Sequence, residues 1–492
     1  MNHLNSIYRT PLTMLTDLYQ LTMAHGYWKL GRADQEAVFH LFFRKTPFEG
    51  GYAVSAGLSQ VLDLLKGFRF EQSDVEYLAT LKGNDGEPLF EKGFLDYLLE
   101  LEFTCDVDAV PEGKVVFANE PLVRIKGPIL QGQILESALL NTVNFQTLVA
   151  TKSARICTAA HGDDVLELGL RRAQGIDGSL SASRAAYIGG CAGTSNVLAG
   201  KLFDIPVRGT LAHSWVMSFD EEIEAFDQYA ETMPNNCVFL VDTYDTIEGI
   251  RNAIEAGLRL RERGHEMVGI RLDSGDLAYL SIEARRLLDH AGFEKAVIVA
   301  SNDLDENIIQ DLKFQGATIA VWGVGTKLAA SYDQPALGGV YKLGATRNDD
   351  GSWKPRVKLS EQKIKTSIPG ILQVRRFEDE FGWVADMIYD ETTGADDRTF
   401  VVDPIDPTRK KKIPRGAVPH ELLVPVARNG EIVFEEESIH DIRDRTQVEL
   451  SKLHPGMKRM MNPHEYPVGL EPKLHELRDQ MIDDARKVEE AF

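Results

Sequence analysis

Short apolar runs rich in β-branched residues recur through the middle of the chain, and amphipathic helical patterns lie between them. The runs occupy residues 165–168, 207–211, 237–241, 267–272, 296–300 and 318–322. Continuous apolar strands that alternate with helices require a parallel sheet covered by helices, because such strands have no polar face to turn toward water. The pattern therefore predicts an α/β fold, either a doubly wound sheet or a (β/α) barrel.

Two of the intervening helices also carry end signals. The first has an apolar stripe followed by a glycine stop: Ile247, Ile250, Ile254, Leu258 and Gly264. The second begins after an aspartate N-cap and ends at another glycine: Asp276, Leu277, Leu280, Ala284, Leu288 and Gly292. Because N-caps and glycine stops fix where helices begin and end, they support regular strand–helix–strand units.

Two features favour the barrel over the doubly wound sheet. No G-x-G-x-x-G sequence opens the first unit, and polar residues follow almost every strand without clustering at one switch point. We therefore predict an irregular TIM-like (β/α) barrel over residues 126–343, introduced by a long buried helix. A strand at 339–343 is expected to complete it.

The N-terminal region, residues 1–125, predicts an α+β domain. Helical patterns at 16–30 and 58–65 flank an apolar run at 38–43 that has the character of a strand.

The C-terminal region, residues 344–492, predicts a β-rich structure with terminal helices that packs on the N-terminal domain. Turn signals at 348–351 and 429–430 mark hairpins in it. Its basic run at 409–412 is expected to be a solvated loop, because it is a single short cluster in an acidic chain.

Composition changes this picture mainly by exclusion. The chain of 492 residues has a formal net charge of −21, which opposes nucleic acid and anionic membrane surfaces. It contains no run of about 18 apolar residues, so no membrane-spanning helix is expected. The four cysteines are dispersed without a Cys-x-x-Cys pair, which favours buried thiols in the cytoplasm over disulfides or a zinc site.

Polar residues at the predicted strand ends are the candidates for chemistry, because these positions face the mouth of a barrel. Arg171 and Arg172 follow the first strand and can clamp a phosphate or carboxylate, although their spacing alone favours a surface ion pair. His213 follows the second strand between hydroxyl residues. It can act as an acid, a base or a nucleophile, or serve as a hydrogen-bonded structural residue.

The third and fourth predicted strands end in acidic residues and a further arginine. Asp242 follows the third strand. After the fourth, Arg271 can face an anion, and Asp273 can hold ribose hydroxyls or magnesium. Ser274 and Gly275 permit a tight turn into a helix whose N-terminal N–H groups suit phosphate.

The sixth predicted strand ends in a glycine-rich turn that carries Gly323, Gly325 and Thr326. Glycines allow backbone N–H groups to approach a phosphate closely. Because barrel phosphate sites commonly follow late strands, the position of this turn favours phosphate binding more than its short sequence does.

Seven segments, taken in order, resemble the nicotinate phosphoribosyltransferase family. They are residues 16–20, 167–174, 209–214, 241–244, 271–276, 323–326 and 337–343. The family forms nicotinate mononucleotide and pyrophosphate from nicotinate and phosphoribosyl pyrophosphate. The resemblance implies a cytoplasmic homodimeric enzyme of NAD synthesis that uses Mg²⁺ and takes ATP as a co-substrate through a phosphorylated histidine.

The resemblance also implies roles for particular residues. His213 would be the phosphorylated histidine, and Asp273 would act beside it. The nicotinate contacts would be Tyr19, Thr210 and Arg271, with Tyr19 reaching into the neighbouring subunit. Thr326, Gly323 and Gly325 would bind the 5′-phosphate of phosphoribosyl pyrophosphate, while Arg171 and Arg172 would face anionic substrate groups. Independently of the resemblance, the turn at Ser274 and Gly275 is expected to contact phosphoribosyl pyrophosphate as well. From the chemistry of the reaction, and not from the resemblance, Asp242 and Asp273 are our candidates for contact with the ribose and the metal.

Other functions stay open on the residues alone. A related phosphoribosyltransferase could act on nicotinamide or quinolinate, and competition among the three pyridines separates these. A phosphosugar aldolase could use Lys327 as a Schiff-base amine, which borohydride trapping reveals. A non-catalytic barrel could sense a nucleotide precursor, but the complete set of His213, Arg271 and acidic residues argues against a retired site.

Overall fold

The structure is a computed structural model that describes residues 11–360, 366–395 and 400–490. The described residues form two compact units. The first draws on Met1–Thr147, Ala336–Ser438 and Val448–Phe492, and the second on Leu148–Pro335 and Ile439–Gln447. None of the described helices is both long enough and apolar enough to cross a bilayer.

The α-helices are numbered along the described chain. They are α1 (Leu18–Lys29), α2 (Leu58–Lys66), α3 (Gln72–Leu78), α4 (Lys92–Leu99), α5 (Ile129–Ile134), α6 (Glu136–Ala159), α7 (Gly175–Ile188), α8 (Val197–Phe203), α9 (His213–Val216), α10 (Glu222–Thr232), α11 (Thr246–Glu262), α12 (Leu277–His290), α13 (Glu306–Phe314), α14 (Thr326–Ala329), α15 (Ile439–Lys452) and α16 (Pro472–Glu490).

The strands follow the same numbering. They are β1 (Glu36–Phe43), β2 (Ala53–Val54), β3 (Asp106–Ala109), β4 (Val115–Val116), β5 (Val123–Pro128), β6 (Asp164–Glu167), β7 (Gly193–Thr194), β8 (Val238–Leu240), β9 (Gly269–Leu272), β10 (Val297–Asn302), β11 (Val321–Val324), β12 (Gly339–Arg347), β13 (Trp353–Pro355), β14 (Leu372–Asp379), β15 (Gly382–Asp390), β16 (Phe400–Val402), β17 (Lys410–Lys412), β18 (Val418–Glu421), β19 (Val424–Arg428), β20 (Glu431–Ile432) and β21 (Val468–Leu470).

The first unit is built on two larger sheets. One has the strand order β13-β12-β1-β5-β3-β19-β20, and the other has the order β17-β16-β21-β15-β14-β18. Strand β1 lies inside the first sheet and pairs antiparallel with both β12 and β5. Every residue of β1 after Glu36 is buried, because both faces of this strand are covered.

A buried polar cluster surrounds Arg376 in the first unit. Its guanidinium pairs with Asp386 at 2.6 Å and lies over the Trp383 ring. Asp386 also accepts a hydrogen bond from the Tyr466 hydroxyl at 2.8 Å. Burial, and then the neighbouring Asp386 carboxylate, raise the pKa of Glu120 well above its ordinary value. The protonated form of Glu120 is therefore favoured.

The second unit contains a parallel six-stranded sheet of order β7-β6-β11-β10-β9-β8. Helices lie between successive strands along the chain, so the predicted mixed α/β character is confirmed. The pairings leave β7 and β8 as edges, and no closed barrel is found among the described residues. The strand order of a doubly wound, Rossmann-type sheet is also not found among the described residues of the second unit.

The predicted strand at 207–211 is wrong. Only Val207 pairs here, in a single parallel bridge with Thr194 next to β7. The chain then continues to Thr210, which accepts a hydrogen bond from Arg271 of β9, and to His213, whose ring lies against Thr243 after β8. This segment therefore contacts residues near both edges of the sheet without forming a regular strand.

The prediction that a strand at 339–343 completes the barrel is also wrong. These residues open β12, which pairs antiparallel with β1 in the first unit. An apolar run indicates that a strand is buried, but it does not identify the sheet that the strand joins.

Most other local predictions are confirmed. The two capped helices are α11 and α12, and the Asp276 side chain accepts a hydrogen bond from the Tyr279 N–H as an N-cap should. The turn at 429–430 joins β19 to β20, with both Asn429 and Gly430 at positive φ. The basic run at 409–412 is exposed as expected, but it forms edge strand β17 and not a loop, because it pairs with β16.

Candidate active site

The parallel sheet of the second unit brings the carboxyl ends of its strands to one edge. Along that edge the order β6, β11, β10, β9, β8 places side by side the residues that follow each strand. Most of the sequence-predicted site residues of this unit follow these strands. Their common position is a consequence of parallel pairing, since every carboxyl end then points the same way.

Arg271, near the end of β9, is held by three neighbours among the described residues. Its Nε donates to the Ser301 hydroxyl at 2.8 Å, its Nη1 to the Thr210 hydroxyl at 3.1 Å, and its Nη2 to Asp273 at 2.8 Å. We call Thr210, Arg271, Asp273 and Ser301 the arginine cluster. A guanidinium has five N–H groups, so these contacts leave one on each terminal nitrogen for a further acceptor.

Asp273 is the anion of the arginine cluster. One oxygen accepts from both Arg271 and the Ser301 hydroxyl, and the backbone N–H donates to Asp242 at 2.8 Å. Burial alone would raise the pKa of Asp273, but the Ser301 hydrogen bond and the Arg271 charge hold it below its ordinary value. The carboxylate is therefore ionised at neutral pH.

His213 begins α9 and lies between two polar partners. Its Nδ1 is 3.1 Å from the Thr243 hydroxyl, and its Nε2 is 3.6 Å from the second oxygen of Asp273. The side chain keeps 39% of its surface exposed, so a substrate can reach it. The two partners lie on opposite nitrogens and fix the plane of the ring.

Asp242 links the loops after β8 and β9. Its Oδ2 accepts from the Asp273 N–H and from the Ser274 hydroxyl at 2.7 Å. Its Oδ1 is buried and has no hydrogen-bond partner among the described residues. Gly275 follows at φ +80°, a left-handed conformation that turns the chain into α12.

Two turns pass closely at the ends of β6 and β11. We call residues 168–170 and 323–326 the glycine turns. A Cβ on Gly169 would collide with the Ala329 side chain and approach the Gly325 carbonyl oxygen, so only glycine fits there. Buried Glu167 anchors the first turn, because its carboxylate accepts from the Gly169 N–H and from the Thr194 hydroxyl at 2.6 Å.

The basic residues near the glycine turns differ in exposure. Arg171 and Arg172 form a short 3₁₀ turn after β6, and both are exposed. Thr326 begins α14 and is half-buried. The Lys327 ammonium lies 3.6 Å from Asp305 and 4.5 Å from the Tyr332 ring centroid.

The structure thus brings most of the predicted residues of the second unit to one edge. Direct contacts join His213, Asp242, Arg271 and Asp273 through the network described above. Arg171, Arg172, Gly323, Gly325 and Thr326 lie on or next to the glycine turns. Tyr19 belongs to the first unit, where it lies on α1 with 49% of its surface exposed.

Sequence reasoning passed over three residues that organise this edge. Ser301 bridges Arg271 and Asp273, Thr243 contacts His213, and Glu167 anchors the first glycine turn. All three lie at or just after strand ends, and that position was an available signal. Small hydroxyl residues and a glutamate at such positions are ordinary, however, and nothing in their local sequence indicates their partners.

The described residues contain no group of three or more His, Cys, Asp and Glu side chains that could hold a metal ion. Asp242 still has one free buried carboxylate oxygen, which is the kind of donor that magnesium prefers. This oxygen is therefore a candidate ligand for the expected metal ion.

The edge therefore combines two chemistries. The arginine cluster presents free N–H groups beside a carboxylate and an accessible imidazole. The glycine turns present close-packed backbone suited to a phosphate. Together they can hold a small planar anion and a phosphorylated partner next to a group able to accept a phosphoryl or a proton.

Comparisons with known proteins show which family this chain resembles. Three protein-family models match successive parts of the chain. They are the nicotinate phosphoribosyltransferase (NAPRTase) N-terminal domain over residues 14–144, the NAPRTase family over 165–367, and the NAPRTase C-terminal domain over 373–478. The nicotinate phosphoribosyltransferase of Bacillus subtilis is 44% identical over 97% of both chains. The human protein of that name is 35% identical, with 94% of this chain and 95% of the human chain covered.

Solved structures give the same result. The crystal structure of human nicotinic acid phosphoribosyltransferase matches with a TM-score of 0.83 at 33% identity, covering 94% of this chain and 99% of that one. The nicotinate-nucleotide pyrophosphorylase of Pyrococcus furiosus shares the fold, with a TM-score of 0.68 at 22% identity. On these similarities over nearly its whole length, the chain belongs to the nicotinate phosphoribosyltransferase family.

Proposed function

We propose that this chain joins nicotinate to the phosphoribosyl group of phosphoribosyl pyrophosphate, the first step of NAD synthesis from nicotinate. The products are nicotinate mononucleotide and pyrophosphate. The observation that carries the proposal is the arginine cluster, in which Arg271 has one N–H group left on each terminal nitrogen. Nicotinate has a carboxylate, and arginine binds that planar group bidentately.

Binding at Arg271 would orient the pyridine ring. Thr210 is already within 3.1 Å of the guanidinium and is the natural second contact of the substrate carboxylate. With the carboxylate held, the ring nitrogen is directed away from the arginine and toward the sugar. It forms the new bond to the anomeric carbon as the bond from that carbon to pyrophosphate breaks.

The displacement develops positive charge on the ribose ring and negative charge on the departing pyrophosphate. The ionised Asp273 is placed to stabilise the ribose charge or to hold its hydroxyls. Ser274 and Gly275 precede the N-terminus of α12 and suit the pyrophosphate. The glycine turns and Thr326 would take the 5′-phosphate, and the exposed Arg171 and Arg172 are free to swing toward phosphate oxygens.

Magnesium would accompany the pyrophosphate and neutralise its charge as it leaves. Asp242 is the better protein ligand, since one of its oxygens has no partner among the described residues. Asp273 is the weaker candidate because one of its oxygens is engaged by Arg271 and Ser301 and the other faces His213.

ATP hydrolysis would be coupled through His213. The imidazole is exposed enough to receive the γ-phosphoryl group, leaving ADP, and water would later release phosphate. A phosphoryl group on this ring would place new negative charge beside Asp273, which could drive a rearrangement of the nearby loops. Replacing His213 with alanine is expected to abolish ATP hydrolysis and its effect on substrate affinity.

We also propose that the second unit is an irregular (β/α) barrel and that the enzyme is a homodimer. The segment 207–213 contacts residues near both edges of the open sheet, which supports the barrel. Helix α1 of the first unit exposes Leu18, Tyr19 and Met23, with 53%, 49% and 42% of their surfaces accessible. Such an apolar face supports a subunit contact that delivers Tyr19 to the neighbouring active site.

Direct assay tests the proposal. The protein is incubated with nicotinate, phosphoribosyl pyrophosphate and Mg²⁺, with and without ATP, and pyrophosphate, mononucleotide and ADP are followed. Formation of nicotinate mononucleotide, and its stimulation by ATP, are expected. Replacement of Arg271 with lysine should raise the KM for nicotinate at least about tenfold, because lysine cannot bind the carboxylate bidentately. A wild-type protein that accepts only nicotinamide or quinolinate contradicts the proposal.

The aldolase alternative is disfavoured by the surroundings of Lys327. Its ammonium lies near Asp305 and Asp333 and over the Tyr332 ring. A Schiff-base lysine is usually made nucleophilic by an apolar pocket or a second cation. Lys327 has the opposite environment.

A further inference from the structure

We propose that Ser301 is the residue that positions Arg271 for nicotinate and so sets the preference for a carboxylate over the uncharged amide of nicotinamide. This inference rests on the nicotinate activity proposed above. Ser301 lies in β10, next to β9 in the sheet, and only 4% of its surface is exposed. Its hydroxyl is bonded to Arg271 and Asp273, so its effect acts through Arg271.

The direction of each hydrogen bond at Ser301 follows from its chemistry. A guanidinium has no lone pair, so Ser301 must accept from the Arg271 Nε at 2.8 Å. The hydroxyl has a single hydrogen, and its other recorded partner is the Asp273 carboxylate, which can only accept. The hydroxyl hydrogen therefore points at Asp273, and the serine serves as a one-way bridge between the two charged groups.

This bridge fixes the plane of the guanidinium. Nη2 and Nε are both tied to the Asp273 side of the group, one directly and the other through Ser301. The third contact comes from a different loop, where the Thr210 hydroxyl accepts a hydrogen bond from Nη1. With Nε fixed as well as the two terminal nitrogens, rotation about the last bonds of the side chain is restricted. The remaining N–H groups, one on each terminal nitrogen, are then held in fixed directions for an incoming carboxylate.

Replacing Ser301 with alanine would remove the bridge and leave the charges in place. The Arg271 Nε would lose its acceptor, and Asp273 would lose a donor. Arg271 and Asp273 would still attract each other, but their geometry would be set by a single contact. Threonine at 301 would keep the hydroxyl, at the cost of one methyl group in a buried position.

The test compares Ser301→Ala and Ser301→Thr with the wild type in steady-state assays. For Ser301→Ala the KM for nicotinate should rise about tenfold, with a much smaller change in the KM for phosphoribosyl pyrophosphate. The ratio of kcat/KM for nicotinate to that for nicotinamide should fall by a similar factor. Ser301→Thr should recover most of the nicotinate affinity.

Ser281→Ala is the matched control, since Ser281 is a fully buried serine of α12 whose hydrogen bonds are to Ala278 and Thr318 and not to Arg271. It should leave both KM values unchanged. If Ser301→Ala keeps its nicotinate KM within about twofold of the wild type, or raises both KM values equally, the positioning role is refuted. Equal loss in the alanine and threonine variants refutes it too. Failure of the proposed function can be told apart from failure of the Ser301 role, because in the first case the wild-type protein itself would not use nicotinate.

Discussion

Thr243 and Asp273 lie against opposite nitrogens of His213, and in the proposed phosphorylation this pair would set how the imidazole meets the phosphoryl donor. With Nδ1 held by Thr243, Nε2 is the nitrogen that faces Asp273, on a side chain that is 39% exposed. The threonine hydroxyl therefore orients the ring without carrying charge. Such a contact should affect the phosphoryl step more than substrate binding.

Thr243→Val tests that role. Valine keeps the shape and removes the hydroxyl, so ATP hydrolysis should fall about tenfold while nicotinate affinity measured without ATP stays at the wild-type level. Coupled measurement of ADP release and calorimetric binding of nicotinate separate the two effects. A variant that loses nicotinate affinity but hydrolyses ATP normally would show that Thr243 serves the pyridine site instead.

The residues that sequence reasoning singled out share one property. Arg171, His213, Arg271 and Asp273 carry charged or titratable side chains that can bind anions or transfer protons, so their type and their position near predicted strand ends were informative together. Ser301 and Thr243 were passed over because a hydroxyl gains its meaning only from its neighbours in space. Contacts between loops that lie far apart in the sequence cannot be read from either loop alone.

Elements with strong local signals were predicted well, and the errors lie in pairing. Helices α11 and α12 have caps and stripes, and strands β8, β9 and β10 overlap the predicted apolar runs. The run at 207–211 failed because it forms only one isolated parallel bridge, between Val207 and Thr194. The run at 339–343 was a strand, but its hydrogen bonds go to β1. Local pattern predicts the type of an element better than its partner.

The close passage of the glycine turns gives a prediction at this scale. Gly169→Ala would push the first turn away from Ala329 and the Gly325 carbonyl. The variant should lose about 1–3 kcal/mol of unfolding free energy, as overpacking usually costs. Its KM for phosphoribosyl pyrophosphate should rise, because the glycine turns that we propose to hold the 5′-phosphate would no longer fit together. Urea unfolding and steady-state kinetics measure the two effects.

Gly178→Ala provides the comparison. Gly178 lies within α7, and a Cβ there meets no atom within 4 Å. Alanine should therefore be neutral or add about 0.5–1 kcal/mol of stability, as it does in helix interiors. Equal behaviour of the two variants would show that the turns are not closely fitted.

Stability of the molecule should depend on the buried Glu120 carboxyl of the first unit. Its pKa is raised in the folded state, so folding favours the protonated form. The contribution of Glu120 to the free energy of unfolding is complete below the unfolded-state pKa of about 4.5, and it is lost as pH rises toward the folded-state pKa. Each unit by which folding raises the pKa of Glu120 lowers the free energy of unfolding by about 1.4 kcal/mol at a pH where the group must ionise.

Glu120→Gln removes this titration while keeping a donor for Asp386. The unfolding free energy of the variant, relative to the wild type, should therefore increase as pH is raised above about 5. Chemical unfolding at a series of pH values measures the difference. Parallel curves for the two proteins would mean that Glu120 does not change its proton occupancy on folding.

Subunit mixing tests the proposed homodimer and its shared active site. Tyr19→Ala and His213→Ala should each lack the ATP-stimulated activity, which is the activity compared in this test. After subunit exchange, half of the dimers are mixed, and each mixed dimer has one site with both residues intact. The mixture should regain about a quarter of wild-type activity. No recovery in a mixture shown to contain mixed dimers would place both residues in one subunit's own site.

The position of β1 between β12 and β5 has a consequence for how the protein is made. During synthesis, β1 and β5 leave the ribosome long before β12, whose sequence follows the entire second unit. Until β12 arrives, β1 presents an unpaired row of backbone groups on a strongly apolar strand, which invites joining to another chain. Nascent chains that stop short of residue 339 should therefore be prone to aggregate and to depend on chaperones.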